Sequence, residues 1–334
     1  MSENLNTVIN ETQPSGCYWN TTAGKIGKTF AYCLIFLVSL AGNTVVGIIV
    51  YQTKNMRKPI NLFIVNMAMS DLLFPIFLIP REIQLLYIHS WLIGGPLGQV
   101  LCKLVIFLSD VSLIVSIQSL VLIAVDRFGA VVFPLRYPLI SSKLCPFFIL
   151  ATWIVAMAIQ SPKLFAYKLV EYPGGLACEP HWSDVFGESV PIENYYLPIL
   201  VIFFIIPMVL IAILYFIIYL KLQSQKIPGD QSATFEQQRQ QRKRNVLKMA
   251  FAIVLGFAVC WLPLIIFWFL FLFFAVDIRP CGSQYFIIVA FFMARANCAL
   301  NPCICFIFNR NYREGFKTLL TLILPGGVQC DPLE

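Results

Sequence analysis

Residues 100–133 read VLCKLVIFLSDVSLIVSIQSLVLIAVDRFGAVVF, and this stretch decides the architecture. It opens beside Cys102, stays predominantly apolar and closes near Asp126-Arg127-Phe128. A hydrocarbon layer about 30 Å thick takes roughly 20 helical residues, so a helix of this length crosses it and projects at both faces. Its polar insertions are Ser109, Asp110, Ser112, Ser116, Gln118 and Ser119, followed by the Asp-Arg pair near one end. Ionisable groups at membrane depth are costly and mark function. The stretch reads as the axis of a helical bundle.

Composition extends that reading outward. The 334 residues are 59% hydrophobic and 12% charged, with mean hydropathy +0.78. A water-soluble globular chain is about one quarter charged, so the solvent for most of this chain is lipid. Seven stretches are long enough to span: Phe30–Tyr51, Ile60–Tyr87, Val100–Phe133, Phe147–Phe165, Tyr195–Leu220, Val246–Val276 and Tyr285–Phe308. Short segments of period-2 alternation, the mark of a membrane barrel, are absent. The expected fold is all-α and integral to the membrane, a seven-transmembrane helix bundle. A tail (1–27) precedes the bundle (28–309), and residues 310–334 hold a short amphipathic eighth helix, centred on Asn311–Leu320, and a cytoplasmic tail.

Basic residues give the orientation. With the N-terminus outside, sixteen of the Lys and Arg residues fall at the inner face, among them Lys54, Arg57, Arg127, Arg242, Lys243, Arg244 and Arg310. Six fall outside (Lys25, Lys28, Lys103, Lys163, Lys168, Arg279) and two within the bundle (Arg81, Arg295). The positive-inside rule therefore places the N-terminus outside, in a multi-pass plasma-membrane protein. No apolar stretch precedes residue 30, so the first span is expected to direct its own insertion. Glycosylation sequons at Asn10 and Asn20 agree with an outer tail. The net charge of +7 then needs no nucleic acid to explain it.

The sequence offers no catalytic residues. Its two histidines, His89 and His181, have no nucleophile partner, and no closely spaced Cys/His set suggests zinc. A transporter would want inverted repeats or a carboxylate relay; Asp71 is the one deep candidate and no repeat is visible. Of eleven cysteines, Cys17, Cys102, Cys178 and Cys281 fall on the oxidising side. Asn43, in the first span, either joins two helices by hydrogen bonds or meets Asp71 of the second.

The ordered set Gly42-Asn43, Ser70-Asp71, Trp91 before Cys102, Asp126-Arg127-Phe128, Trp153, Pro207 with Tyr215, Cys260-Trp261-Leu262-Pro263 and Asn301-Pro302 resembles the rhodopsin-like (class A) G-protein-coupled receptors. The resemblance runs from Asn43 to Phe316. It implies a receptor that exchanges guanine nucleotide on a heterotrimeric G protein when an outside ligand binds, with arrestin, a receptor kinase and membrane lipid as further partners. It implies a disulfide between Cys102 and Cys178, with Cys17 and Cys281 a candidate second bridge. Arg127 matches the arginine that meets the family's G protein, held at rest by Asp126, and Tyr215 matches a tyrosine of the same G-protein-coupling end. Pro207, Ile117 and Phe257 match its packing switch below Trp261, with Asn301-Pro302 in the seventh span. Asp71, Ser116, Asn297 and Asn301 match its pocket for an allosteric sodium ion. Independently, a hard cation wants oxygen ligands, and a carboxylate, a hydroxyl and two amide oxygens would supply them; the alternative is an Asp71 hydrogen-bonded through water. No cofactor beyond sodium is implied.

Two departures stand out. Phe128 replaces the usual tyrosine after Asp-Arg, and Cys305 replaces the tyrosine that ends the Asn-Pro-x-x-Tyr motif and meets the residue matched by Tyr215. Ser109 occupies the position where amine receptors carry aspartate, and Arg295 occupies that of the opsin lysine; guanidinium forms no Schiff base under these conditions. What remains resembles receptors of the neuropeptide Y, tachykinin and RFamide kind. Acids of the 166–194 segment, with Glu82 and Asp110, suit a basic or amidated peptide. Expected ligand-binding residues are Glu82, Ser109, Asp110, Trp261 and Arg295. The alternatives are a class A receptor for a lipid or small molecule, and an upper bundle in which Arg81, Glu82, Asp110 and Arg295 simply neutralise one another.

Overall fold

The computed structural model describes residues 21–135, 138–224, 233–274 and 281–323, with side chains described at all of these except 224, 233–246, 271–274, 281 and 322–323. Asn10, Asn20, Cys17 and the side chains of Cys281 and Arg242-Lys243-Arg244 lie outside that set. Among the described residues seven helices are long and apolar enough to cross a membrane. Three of the spans are α1 (Thr22–Gln52), α2 (Pro59–Tyr87) and α3 (Gly95–Val132); the fourth, Cys145–Ala166, contains α4 (Cys145–Gln160), the fifth, Glu193–Gln223, ends in α5 (Ile206–Ser224), and the sixth and seventh, Leu247–Leu270 and Gly282–Phe308, lie within α6 (Ala233–Phe274) and α7 (Cys281–Phe308). The expected amphipathic eighth helix is α8 (Arg310–Ile323).

α1 begins at Thr22, ahead of the boundary expected after residue 27, with Thr21 as its cap: the Thr21 hydroxyl accepts from Gly24 N–H at 3.2 Å. At the other end of the bundle, α8 docks by burying Tyr312 completely, and Gly315 lies so close to Ile49 of α1 that an added Cβ would stand 2.5 Å from its Cγ2. The long α3 packs against α2, α4, α5 and α6 and buries Val111, Val115, Leu120, Ile123 and Ala124. Large apolar side chains such as Phe30, Leu37, Phe147, Phe216 and Phe251 stand exposed on the outside, as a lipid solvent allows.

The 166–194 segment, expected as a loop, contains an antiparallel hairpin of β1 (Tyr167–Tyr172) and β2 (Gly175–Pro180), pairing Leu169 with Cys178. Gly175, at φ +127°, takes a backbone conformation that L side chains rarely adopt. Three ties hold the hairpin over the bundle. Cys178 is bonded to Cys102 of α3. Gln99 donates to Tyr167 C=O at 3.2 Å and accepts from Leu169 N–H at 2.8 Å. Trp91 N–H donates to Leu176 C=O at 2.6 Å.

Prolines inside the spans set the internal polar pattern. Each removes the donor that the carbonyl four residues earlier would use, and in lipid that carbonyl must find another. Pro302 frees Cys298 C=O, which accepts from Asn43 Nδ2 at 2.9 Å and Ser39 Oγ at 3.2 Å. Pro75 frees Asp71 C=O, which lies 3.5 Å from the same Ser39 hydroxyl. Asn43 therefore does not meet the Asp71 carboxylate; it serves the backbone of α7. Pro302 also leaves no room opposite Gly42, where a Cβ would stand 2.7 Å from the proline ring. Ahead of α5, a π turn over Val201–Ile205 precedes Pro207, with Ile206 N–H bonded to Val201 C=O.

Replacing Asn43 with Leu should lower the stability of the purified protein by about 1–3 kcal/mol, since the buried carbonyl keeps only one donor. Ser39→Ala should cost less, and the double variant more than the two single losses combined. Thermal unfolding of the three variants in one detergent measures this, and simple additivity would exclude the shared-carbonyl account.

Candidate functional site

Midway through the bundle, Asp71 is buried and accepts from Ser116 Oγ at 3.1 Å and from Asn301 Nδ2 at 2.7 Å. Ser70 Oγ lies 2.9 Å from Ser116 Oγ, and Ser112 Oγ donates to Ser70 C=O at 2.8 Å. Asn66 joins three helices: it donates to Ser119 and Thr152 and accepts from Trp153 Nε1 at 2.9 Å. A cavity lined by Asp71, Ser112, Ser116, Asn297, Phe257 and Trp261, among others, opens beside this cluster. Asn297 Oδ1 is buried and lacks a hydrogen-bond partner. A carboxylate, a hydroxyl and an orphaned amide oxygen around one cavity fit a hard monovalent cation. The predicted fourth ligand is corrected: Asn301 turns its amide nitrogen, not its oxygen, toward Asp71.

Above Asp71, Phe257 stacks on Trp261 with ring centroids 6.0 Å apart, and Phe204 meets Phe257 at 6.0 Å. Ile117 and Phe257 share one buried cluster, with Phe204 and Met208, on either side of Pro207, packed against it. Trp261 Nε1 is buried without a partner.

At the end of the bundle that carries α8, the Asp126 carboxylate, fully buried, accepts from Arg127 Nε at 3.1 Å and from its Nη2. Tyr215 is buried with its hydroxyl unpartnered. Cys305 is fully buried, and Tyr312 of α8 sends its hydroxyl to within 3.4 Å of Asn61 Oδ1. Burial holds the Tyr312 phenol well above its ordinary pKa.

At the disulfide end, Glu82 pairs with Arg295 at 2.8 Å, and Arg295 also donates to Tyr32 OH at 2.9 Å. Asp110 pairs with Lys163, which follows the break after α4 and is almost wholly buried. Of the alternative in which Arg81, Glu82, Asp110 and Arg295 neutralise one another, the Glu82–Arg295 pair is present, whereas Asp110 is paired instead by Lys163, which the sequence placed among the outer bases. The signal was Pro162, whose ring interrupts the helix and turns Lys163 inward, 4.9 Å above the Tyr196 ring. Ser109 is spent on its own backbone, donating to Val105 C=O at 2.6 Å. On the hairpin side, Lys168 hydrogen-bonds Asp184 at 2.9 Å and, with its charge, holds that exposed carboxyl below its ordinary pKa.

Residues 42–304 match the family model described as 7 transmembrane receptor (rhodopsin family). The chain is 32% identical over 297 residues to a QRFP-like peptide receptor of Branchiostoma floridae, covering 86% of this chain and 76% of that one. It is 30% identical over 307 residues to a RYamide receptor of Drosophila melanogaster, covering 90% and 65%. With a neuromedin-K receptor of Rattus norvegicus it shares 29% over 291 residues, covering 86% and 62%. The last two are thus matched over somewhat less than two thirds of their length.

The Asp110–Lys163 pair is asymmetric, with side-chain exposures of 34% and 5%. Asp110→Asn strands a buried ammonium and should cost about 3 kcal/mol. Lys163→Met leaves a carboxylate that water still reaches and should cost clearly less. Thermal unfolding of both variants tests the order, and the reverse order would refute the assigned burial.

Proposed function

The chain belongs to the rhodopsin family of seven-transmembrane receptors, and from that premise we propose that it is a plasma-membrane receptor that binds an extracellular peptide and activates a heterotrimeric G protein. The N-terminus and the hairpin then face outward, and Arg127 faces the cytosol. The observation that carries this reading is a bundle with two buried polar centres, the Asp71 cluster beside the cavity that Trp261 lines and the Asp126–Arg127 pair near the end that carries α8. A second arrangement of side chains, in which Tyr215 OH, Trp261 Nε1 and Asp126 Oδ1 take partners that they lack here, is part of this reading. Peptide rather than amine recognition is supported by the names of the relatives. It is supported too by the ion-paired state of Asp110 and Glu82, which leaves neither carboxylate as a ready counter-ion for a small ammonium. Exposed acids of the outer segment, among them Glu171 and Glu188, supply a field for the basic part of a peptide. Arrestin and a receptor kinase are the further partners of this reading.

The test is GDP release from purified heterotrimers by the full chain in nanodiscs, against a library of short amidated and free-acid peptides. Stimulation by at least one peptide is expected, and Arg127→Ala should reduce it tenfold or more while leaving peptide binding measurable. Failure of every peptide with every heterotrimer would end this reading.

Sodium is proposed as an allosteric ligand of Asp71, Ser116 and Asn297. Replacing sodium by choline at constant ionic strength should lower the melting temperature of the purified receptor, and Asp71→Asn should erase the difference. An undiminished sodium effect in Asp71→Asn would place the ion elsewhere.

A further inference from the structure

The outer ends of the spans bring three cations inward, Arg81 of α2, Lys163 beyond α4 and Arg295 of α7, against two carboxylates, Glu82 and Asp110. Two of the cations are matched, Lys163 by Asp110 and Arg295 by Glu82. Arg81 is left over. It is part-buried, its Nε is closed off from solvent without a hydrogen-bond partner, and no carboxylate pairs with it among the described residues. The guanidinium carbon lies 5.7 Å from the Trp91 ring centroid. Such a contact uses the face of the guanidinium and leaves its N–H donors, which lie in the plane, directed elsewhere.

Nearby acids are already engaged. Glu82, next to Arg81 in sequence, is held by Arg295. On the hairpin, Glu179 accepts from Tyr172 OH at 2.9 Å and Asp184 from Lys168. Trp91 itself is fixed by its backbone bond to Leu176, so the ring behind Arg81 is anchored to the hairpin and, through Cys178, to α3. A partly desolvated guanidinium backed by a fixed ring and lacking an acceptor is prepared for a planar, two-oxygen anion, which it can meet with two parallel hydrogen bonds.

We propose that Arg81, backed by Trp91, is a carboxylate-binding subsite of the ligand vestibule. The inference rests on the peptide-receptor reading for its ligand: the peptide offers Arg81 either a free C-terminal carboxylate or an Asp or Glu side chain. It gives the ligand a polarity that the acidic outer segment alone does not, with a basic part near the rim and an anionic group at α2.

The experiment uses the purified full-length receptor in nanodiscs and three small probes at millimolar concentration. These are N-acetylphenylalanine, its C-terminal amide, and N-acetyl-aspartyl-phenylalanine amide, whose only carboxylate is on the side chain. At least one carboxylate probe should raise the melting temperature by about 2 °C or more, and the simple amide should not. The more effective acid identifies the source of the anion. Arg81→Gln should abolish the difference between acid and amide, weakening acid binding by about tenfold or more, and Arg81→Lys should retain part of it. Lys retention also separates loss of the subsite from loss of folding. Equal shifts for acids and amide, no shift with any probe, or a difference that survives in Arg81→Gln would overturn the proposal. The peptide library reports separately: if no peptide activates while the Arg81-dependent acid effect persists, the subsite stands and the peptide reading falls. If amidated, acid-free peptides activate and the probes show no acid preference, the reverse holds.

Discussion

A carbonyl oxygen without a donor is intolerable in hydrocarbon, and two such oxygens, freed by Pro302 and Pro75, fix how α1, α2 and α7 face each other. Cys298 C=O and Asp71 C=O both lie within reach of the single Ser39 hydroxyl, and Asn43 adds a second donor to the first. Each unsatisfied group would cost several kcal/mol in lipid, more than packing differences between alternative helix rotations supply. The first helix is therefore keyed to the prolines of its neighbours. With α2 and α7 held in that register, Asp71 accepts from Ser116 and Asn301, and a separate group around Asn66 ties α2 to α3 and α4.

Charges at the disulfide end obey a different rule. Removing an ion pair from water costs about as much as its attraction returns, so the Asp110–Lys163 and Glu82–Arg295 pairs are poor explanations for stability. Each carboxylate already has a protein cation beside it, although the Asp110 side chain stays 34% exposed.

At the opposite end Cys305 of α7 is fully buried, the Tyr215 hydroxyl lacks a partner, and the Tyr312 hydroxyl of α8 lies 3.4 Å from Asn61 Oδ1. That helix is pressed onto the bundle through Gly315 and Tyr312, so its seating and the state of the inner end are physically linked.

Seven helices long and apolar enough to cross a membrane, and the amphipathic helix, were legible from the sequence, because hydropathy and span length are dictated by the bilayer and need no partner. The Cys102–Cys178 bridge and the Asp126–Arg127 contact came from an ordered set of motifs, and the structure contains both. Pairings among distant polar residues were not legible. Asn43 could have met Asp71 but binds α7 backbone, Asp110 could have met Arg81 or Arg295 but takes Lys163, and Asn301 could have offered oxygen but offers nitrogen. The hairpin over the vestibule was hidden too, since its strands are short and gain stability from ties to α3 and Trp91. Sequence determines which groups must be satisfied; only the folded bundle, by bringing helices hundreds of residues apart into contact, decides which partner satisfies each one.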